Sequence, residues 1–497
     1  MSSRRALCLL ASVIGLFMPV LLFAGQAGGF QATGIKISEP TATSVTIWTR
    51  LTRDEQRAPD DRPLPKLKVF DRNSGKELPL RDNGEYPGAR VEIAFPAGSD
   101  LGSIRGAAVG AAGQVRVRYR VASGAMTWTE SPWRAVDERA DFTATFALAS
   151  LQPGTRYEIV VEGRRVEAAP TTSVVSGGFV TAPAPGAAGS VSFCVMTCQQ
   201  YEDRDRPDGF AIYPAMLGLR PDFFVNTGDA VYYDHGPVHA LTVGLARYHW
   251  ARMFSFSTLV DFHRQVGSYF MKDDHDTLTD DCHPDFSTGE FSFAEGVRTY
   301  REQTAPPNPA YRTIRWGRHL QIWMVEGREY RSTREQDSTH APTIWGGEQI
   351  AWFERTMTES DATFRVLITP TPMVGPDRDA KDDNYANAGY GAEGERLRTF
   401  LAAQKNVLVI TGDRHWQYVS VDPETKVEEW SVGAASDAHA GGWSENQPRA
   451  MHRFLRINHG GFLSGAVSAT SDGASLRLRL HDTTGNVVFE STKTAAK

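Results

Sequence analysis

Beyond residue 190 the chain repeats one pattern four times: a short apolar run stops abruptly, and the residues that follow carry oxygen, nitrogen or sulfur donors. The four are "VSFCVMTCQQY" from Val191, "FFVNTGDAVYYD" from Phe223, "SYFMKDDHDTLTDDCH" from Ser268 and "NVLVITGDRHWQY" from Asn406. Short apolar runs rich in branched and aromatic residues read as buried strands. Between them lie stretches with helical spacing: "DGFAIYPAMLGL", "GGEQIAWFERTMTE" with Ile350, Phe353 and Met357, and "EGERLRTFLAAQK". Strands alternating with amphipathic helices predict a layered α/β fold. In such folds ligands collect at the carboxyl ends of strands, where loops and helix termini meet. The four donor clusters are therefore expected at one end of the sheets. The tail, "HRFLRINHGGFLSGAVSA", "ASLRLRLHD" and "NVVFEST", reads as strands. A mixed sheet, or two packed sheets, fits this better than one doubly wound sheet.

Upstream the character differs. From Gln31 to Thr181, "SVTIWTR", "QVRVRYRV" and "DFTATFAL" alternate or carry branched residues between turn-rich segments, which predicts a small all-β sandwich. No cluster of metal ligands occurs there. In "SLQPGTRYEIVVEG", Leu151, Pro153, Gly154 and Tyr157 resemble the tyrosine corner of fibronectin type III domains. A tyrosine at that place bonds back to the turn before its strand. Trp48 is expected in the core of this sandwich. "TAPAPGAAGS" is a linker. The predicted organisation is a signal peptide over 1–27, the sandwich over 31–181, a linker over 182–190 and the α/β domain over 191–497.

The N-terminus has a basic head, Arg4 and Arg5, an apolar run from Ala6 to Ala24, and small residues after it. That is the layout of a secretory signal, so the expectation is a periplasmic or secreted protein. The run is long enough to anchor the chain in a membrane if it is retained. "SRRALCL" weakly resembles a twin-arginine signal without its usual Phe and Lys. The net charge of -6, with no long Lys/Arg run, argues against a nucleic-acid-binding surface. Cys8 leaves with the signal, and Cys194, Cys198 and Cys282 remain. Three thiols form at most one disulfide, and a metal is a candidate partner for the sulfur left over.

The hard donors in the four clusters are Asp229, Asp273, Asp274, Asp280 and Asp413. His275 and His415 are borderline donors, and Cys198 and Tyr232 offer a thiolate and a phenolate. Carboxylates alone suit calcium or magnesium. Thiolate, imidazole and phenolate favour a transition metal, and phenolate favours ferric iron. Several cations in one site would balance so much negative charge. Singly, each residue has a structural reading: Asp229 as a turn or cap, Cys198 as a buried small residue, Tyr232 as packing, "DDHD" as a solvated turn, His415 as a core histidine. Four strand-end clusters of matched chemistry weigh against all of these together. Asn226 reads as a turn-side hydrogen bonder, and Asp234 is left without a role.

From about Gly189 to the C-terminus the chain resembles the PhoD-like alkaline phosphatases, among the calcineurin-like metallophosphoesterases, and the sandwich resembles that family's N-terminal domain. The carrying motifs are Thr197–Gln199, Gly228-Asp229 with Tyr232, Asp273-Asp274-His275, Gly412-Asp413 with His415, and Val325-Glu326 with Arg328, Tyr330 and Arg331. "GGEQIAWFERTM", with Gln349 and Trp352, and "ITPTPMVGP" add to it. The resemblance implies an iron set of Cys198, Asp229, Tyr232 and His415. It implies Asp229 bridging to a second metal, resembling calcium, that Asp413 serves. Zinc, manganese or magnesium are alternatives. Asp273 and Asp274 are either ligands or support for ligands. Departures are Lys272 for the usual Trp, Thr279 and Asp280 where an Asn ligand is expected, Glu326 for Asp, and a "KDDNYANAGY" segment lacking the common Trp. Asp280 is expected as a ligand in place of that Asn.

The implied function is a phosphate monoester or diester hydrolase using metal-activated hydroxide. His275 is expected as phosphate contact or general acid. Arg328 is expected either as a phosphate clamp or as a salt-bridge partner. Phospholipid head groups or cell-wall polymers are variant substrates. The alternative is an extracellular binding or adhesion protein that keeps a structural metal site. For the export signal, N-terminal sequencing of the exported protein is expected to begin near Gly28. An intact Met1 with Arg4 and Arg5 retained would favour an anchor.

Overall fold

A computed structural model describes residues 28–80, 86, 89–124, 126–288, 290–333, 341–444 and 449–496. The expected signal peptide over 1–27 lies outside the described residues. Two large sheets pack against each other. The first runs, in order, through the strands Val487–Ala496, Gly473–His481, Phe462–Thr470, Val191–Met196, Phe223–Asn226, Gly267–Phe270, Ile35–Ser38, Val45–Arg50 and Thr143–Leu148. The second runs through Arg312–Trp316, Leu320–Met324, Phe364–Thr369, Val407–Thr411, Glu428–Val432, Gln417–Val421 and His452–Arg456. The middle of each sheet is parallel, so several strands end on the same side.

The apolar runs are continuous because both faces of these strands are covered. In Phe223–Asn226 all four residues are buried. Phe223 and Val225 point into the core between the sheets, with Phe193, Val195, Ile322, Ile368 and Ile410. Phe224 points the other way, with Cys194 and Met196, into a helical layer. That layer is made by the helices Ile212–Leu219, Val243–Phe254, Ser257–His263 and Phe293–Thr304. The helices Gly346–Glu359 and Gly391–Ala402 cover the outer face of the second sheet, against Trp323, Leu367 and Val409. The result is helix, sheet, sheet, helix: a layered α/β core of two packed mixed sheets.

The N-terminal region is all-β. Ile35, Ile37, Val45 and Ile47 face Val115, Val117, Ile159, Val161 and Phe179 of a second, smaller sheet built on Gln114–Val121, Arg156–Arg164 and Ser173–Val180. Tyr157 is buried in this core, and its hydroxyl accepts a hydrogen bond from Gln152 N at 2.8 Å. The tyrosine corner is therefore formed. Trp48 is not part of the sandwich core. Side chains alternate along a strand, so with Ile47 inside, Trp48 faces outward. There it is buried against helix Phe293–Thr304, donating Nε1–H to Glu302 O at 2.8 Å, with Lys36 Nζ 3.7 Å from its ring centroid. The proline-rich segment is tied down as it crosses: Ala182 N donates to Thr41 O at 3.0 Å, and Arg318 N to Ala187 O at 2.8 Å.

Candidate metal centre

Three turns at the strand ends share an unusual backbone. Cys198, Asp229 and Asp413 have φ of 51°, 55° and 62°. Non-glycine residues rarely adopt this left-handed conformation, Asp more readily than Cys. Such residues cost on the order of 1–3 kcal/mol each and persist where the surroundings fix them. Here the turns fix one another. Gln199 N donates to Asp229 O at 3.0 Å, Ala435 N to Cys198 O at 3.1 Å, and Asp413 N to Thr197 Oγ1 at 3.3 Å. The glycines before the two aspartates allow this crowding. A Cβ on Gly228 would lie 2.6 Å from Asp273 Cβ, and one on Gly412 would lie 2.4 Å from Thr227 Oγ1. Glycine lets neighbouring strand tips press together, and the following Asp is carried into the gap.

The donors meet at Tyr232 Oη. Asp229 Oδ2 and His415 Nε2 each lie 3.3 Å from it, and Cys198 Sγ is 3.3 Å from the same Asp229 oxygen. His275 stacks on the Tyr232 ring with centroids 4.3 Å apart. Asp229, Asp274 and His275 place ligand atoms within 4.8 Å of one another, and so do Asp274, Asp280 and Asp281. Asp229 Oδ1, Asp273 Oδ2 and Asp274 Oδ1 are buried acceptors with no hydrogen-bond partner among the described residues. Unsatisfied buried carboxylate oxygens are costly, and Asp229 and Asp274, whose ligand atoms cluster with His275, fit a cation.

The electrostatics point the same way. Burial, and after it the Asp274 charge, holds Asp229 well above the usual carboxylate range. Burial pushes Asp273 and Asp413 up to about 7, despite Arg328 and Arg414 beside them. Asp274 is the exception: burial opposes it, but Arg328 and then His275 bring it down to about 2. Burial and the Asp229 charge raise the Cys198 thiol and the Tyr232 phenol. Burial thus favours the protonated forms of Asp229, Cys198 and Tyr232. A metal ion inverts that preference and deprotonates a coordinating thiol.

Several residues stand where sequence reading did not put them. Arg328 lies against two carboxylates of the site. It is fully buried, with Nε 2.5 Å from Asp273 Oδ1 and Nη2 3.5 Å from Asp274 Oδ2. The ion-pair reading of Arg328 is therefore observed, with Asp273 and Asp274 as its partners. Asp280 reaches the rim: Oδ1 is 3.8 Å from His275 Nε2, and both its oxygens are 3.5 Å from Lys381 Nζ. Asp234 is no bystander. It is buried and touches His275 Nδ1 at 2.8 Å and His235 Nδ1 at 3.1 Å. It also accepts from Asp280 N at 2.8 Å. Asn226 Oδ1 accepts from Gly228 N at 2.9 Å, a turn-side bond. Cys194, Cys198 and Cys282 are all free and buried.

Other residues were not singled out at all. Asp276 joins two ligand turns, accepting from Asp273 N at 2.8 Å and from Ala230 N at 3.0 Å. Arg414 is buried and pairs with Asp413 at 2.8 Å, Asp377 at 2.6 Å and Asp383 at 3.2 Å. His439 Nε2 lies 2.8 Å from Tyr232 Oη. None of these has a local signature beyond following a strand.

A family model described as PhoD-like phosphatase matches residues 193–436, the stretch that contains these turns. Over those residues the chain belongs to the PhoD-like phosphatase family. A solved structure of PhoD is similar with a TM-score of 0.68 at 18% identity, over 94% of this chain and 90% of that one. A purple acid phosphatase from yellow lupin (Lupinus luteus) seeds is similar with a TM-score of 0.60 at 11% identity, over 93% of this chain and 74% of that one. At these identities the likeness is one of fold. Among curated proteins none matches the chain significantly. The chain thus has a PhoD-like metallophosphoesterase fold with candidate metal-binding clusters.

Against the pattern of PhoD-like phosphatases, Lys272 and Glu326 looked like separate departures. They are partners. Lys272 Nζ pairs with Glu326, and lies 3.1 Å from Glu329 Oε1, with its own side chain 1% exposed. Glu326 in turn accepts from Arg328 N at 2.8 Å and Glu329 N at 2.7 Å. The pair fastens the Arg328 loop to the Asp273 turn. Removing one partner of a buried ion pair leaves an uncompensated charge. Lys272→Met is therefore expected to cost about 3–5 kcal/mol of stability. Adding Glu326→Gln is expected to restore roughly half of that. A denaturant-unfolding double-mutant cycle checks it, and equal losses in single and double variants would refute the pairing.

Proposed function

We propose that the chain is an exported metal-dependent phosphate-ester hydrolase. The carrying observation is the meeting of Asp229, from the first sheet, and His415, from the second, at Tyr232 Oη, with Cys198 Sγ on Asp229. Cys198, Asp229, Tyr232 and His415 would hold one ion, which the phenol and thiol make iron. Asp229 and Asp274, with Asp280 and Asp413, would hold a second, which the all-oxygen donors make calcium. Asp273, tied to Arg328, supports rather than ligates. Bound ions supply Lewis-acid polarisation of the phosphoryl group and of the attacking water.

The protein's own residues do the rest. Asp234 accepts the Nδ1 proton of His275, which fixes the ring and leaves Nε2 facing Asp280 and the rim. A proton on Nε2 is placed for delivery to the ester oxygen that leaves. Tyr232 stacked on the ring keeps it from swinging. Arg328 and Arg414 hold the carboxylates from behind, so the donors need not reorganise as substrate binds. Both simple esters and the phosphodiesters of lipid head groups or wall polymers carry the phosphoryl group this arrangement accepts.

Turnover of a chromogenic monoester and a chromogenic diester, with metal content measured alongside, tests the reading. Asp229→Asn is expected to lose roughly 10²-fold or more in turnover, with unchanged circular dichroism. Asp472→Asn, in an exposed turn remote from the site, is the control. An Asp229→Asn protein that keeps full activity and full metal content would sink the site. Metal uptake without turnover of either ester would return the binding-protein alternative. If iron is held by Tyr232 and Cys198, the purified protein is coloured, and Tyr232→Phe shifts or removes the band. A colourless, fully active protein holding only zinc or calcium refutes iron.

A further inference from the structure

His439 is one of the residues at the site that no motif announces. It follows the strand Glu428–Val432 in "SDAHAGG", so it arrives as the four donor clusters do, from beyond a strand end. Its Nδ1 lies 2.9 Å from Asp203 Oδ2, and its Nε2 lies 2.8 Å from Tyr232 Oη. Its ring centroid is 4.1 Å from that of His415. Ser436 holds the two segments together, donating to Asp203 O at 2.6 Å and accepting from His439 N at 3.3 Å. The side chain is 8% exposed.

We propose that His439 is a further metal ligand, a second imidazole for the ion held by Cys198, Asp229, Tyr232 and His415. The inference rests on the metal-centre reading above. Metal-ligating histidines characteristically give their other ring N–H to a carboxylate, which fixes the tautomer and aims the free nitrogen. Asp203 is that carboxylate, and the free nitrogen is aimed at the donor set. The spacing agrees. An ion with bonds of about 2.1 Å keeps neighbouring ligand atoms about 3.0 Å apart in octahedral geometry. The observed donor-to-donor distances here are 2.8 Å for His439 to Tyr232, and 3.3 Å for Tyr232 to His415, Tyr232 to Asp229 and Cys198 to Asp229. Two imidazoles with a thiolate and a phenolate also make the site softer, and more selective for a transition metal over calcium, than the motif residues alone.

The test uses the full chain reconstituted with ferric iron. X-ray absorption fine structure is expected to count two imidazoles on iron in the unaltered protein, one in His439→Ala and one in His415→Ala. Chelator competition is expected to show a loss in iron affinity of at least about 10-fold for His439→Ala and roughly 10-fold for Asp203→Asn. Asp203 is part-exposed, so its variant serves where His439→Ala does not fold. One imidazole in the unaltered protein, lost only in His415→Ala, overturns the inference and leaves His439 a hydrogen-bond partner of Tyr232. Unchanged affinity in Asp203→Asn overturns it as well. An unaltered chain that takes up no iron and hydrolyses no ester overturns the metal reading itself, whereas iron uptake and turnover with His439 absent from the ion's shell overturns this inference alone.

Discussion

The structure depends on one electrostatic problem: carboxylates crowded out of water at the tips of two sheets. Two unit charges 4 Å apart repel by about 4 kcal/mol at an effective dielectric of 20. The fold answers with fixed cations set behind the acids. Arg328 takes one side of Asp273 and Asp274, Arg414 takes Asp413, Asp377 and Asp383, and Lys381 takes Asp280 and Asp281. Asp229 is different. Its neighbours are a thiol and a phenol, and its other oxygen has no partner among the described residues. The guanidinium groups leave Asp229 as the place where compensation is still missing, which makes it the strongest candidate to hold a cation.

The same arrangement explains the backbone. Left-handed turns at Cys198, Asp229 and Asp413 are unfavourable singly. They survive because the Cys198 turn is hydrogen-bonded to the Asp229 turn within the first sheet and to the Asp413 turn across the sheet seam, and because Asp276 ties two of the ligand turns together. The strain is shared among elements whose own stability comes from elsewhere: the apolar core between the sheets and the helical layers outside them. A substitution that empties the donor set need not unfold the chain.

What the sequence made legible was local. Apolar runs closing on donors identified the strands Val191–Met196, Phe223–Asn226, Gly267–Phe270 and Val407–Thr411 and the residues after them. Helix Val243–Phe254 is buried at nine positions, including His249 and Arg252, so it shows no clean polar face to betray it. Helix Phe293–Thr304 carries a readable start, the Ser292–Glu295 capping box. His439 and Asp203 are 236 residues apart, and His439 and Tyr232 are 207 apart. No spacing rule joins them; only folding does. Trp48 shows the remaining gap. Alternation puts Ile47 and Trp48 on opposite faces, but which face meets which neighbour is a tertiary fact. The Lys272–Glu326 pair has the same origin: each departure is odd alone and sensible only beside the other.

The sandwich is bound into this logic. Its strand Ile35–Ser38 meets Gly267–Phe270 in the first sheet, with Ser38 opposite Ser268. Glu39 N donates to Ser268 O at 3.1 Å, and the Tyr269 hydroxyl donates to Pro40 O. Arg312, from the second sheet, holds Glu39 at 2.6 Å and also donates to Phe270 O at 3.0 Å. These contacts clamp the strand that ends, within three residues, in Asp273. Strand position is transmitted to the residues just beyond it, because the turn has little slack: Asp273 N and Ala230 N are both held by Asp276. The N-terminal sandwich is thus a buttress for the Asp273–His275 turn, and the candidate metal centre is positioned by both parts of the chain.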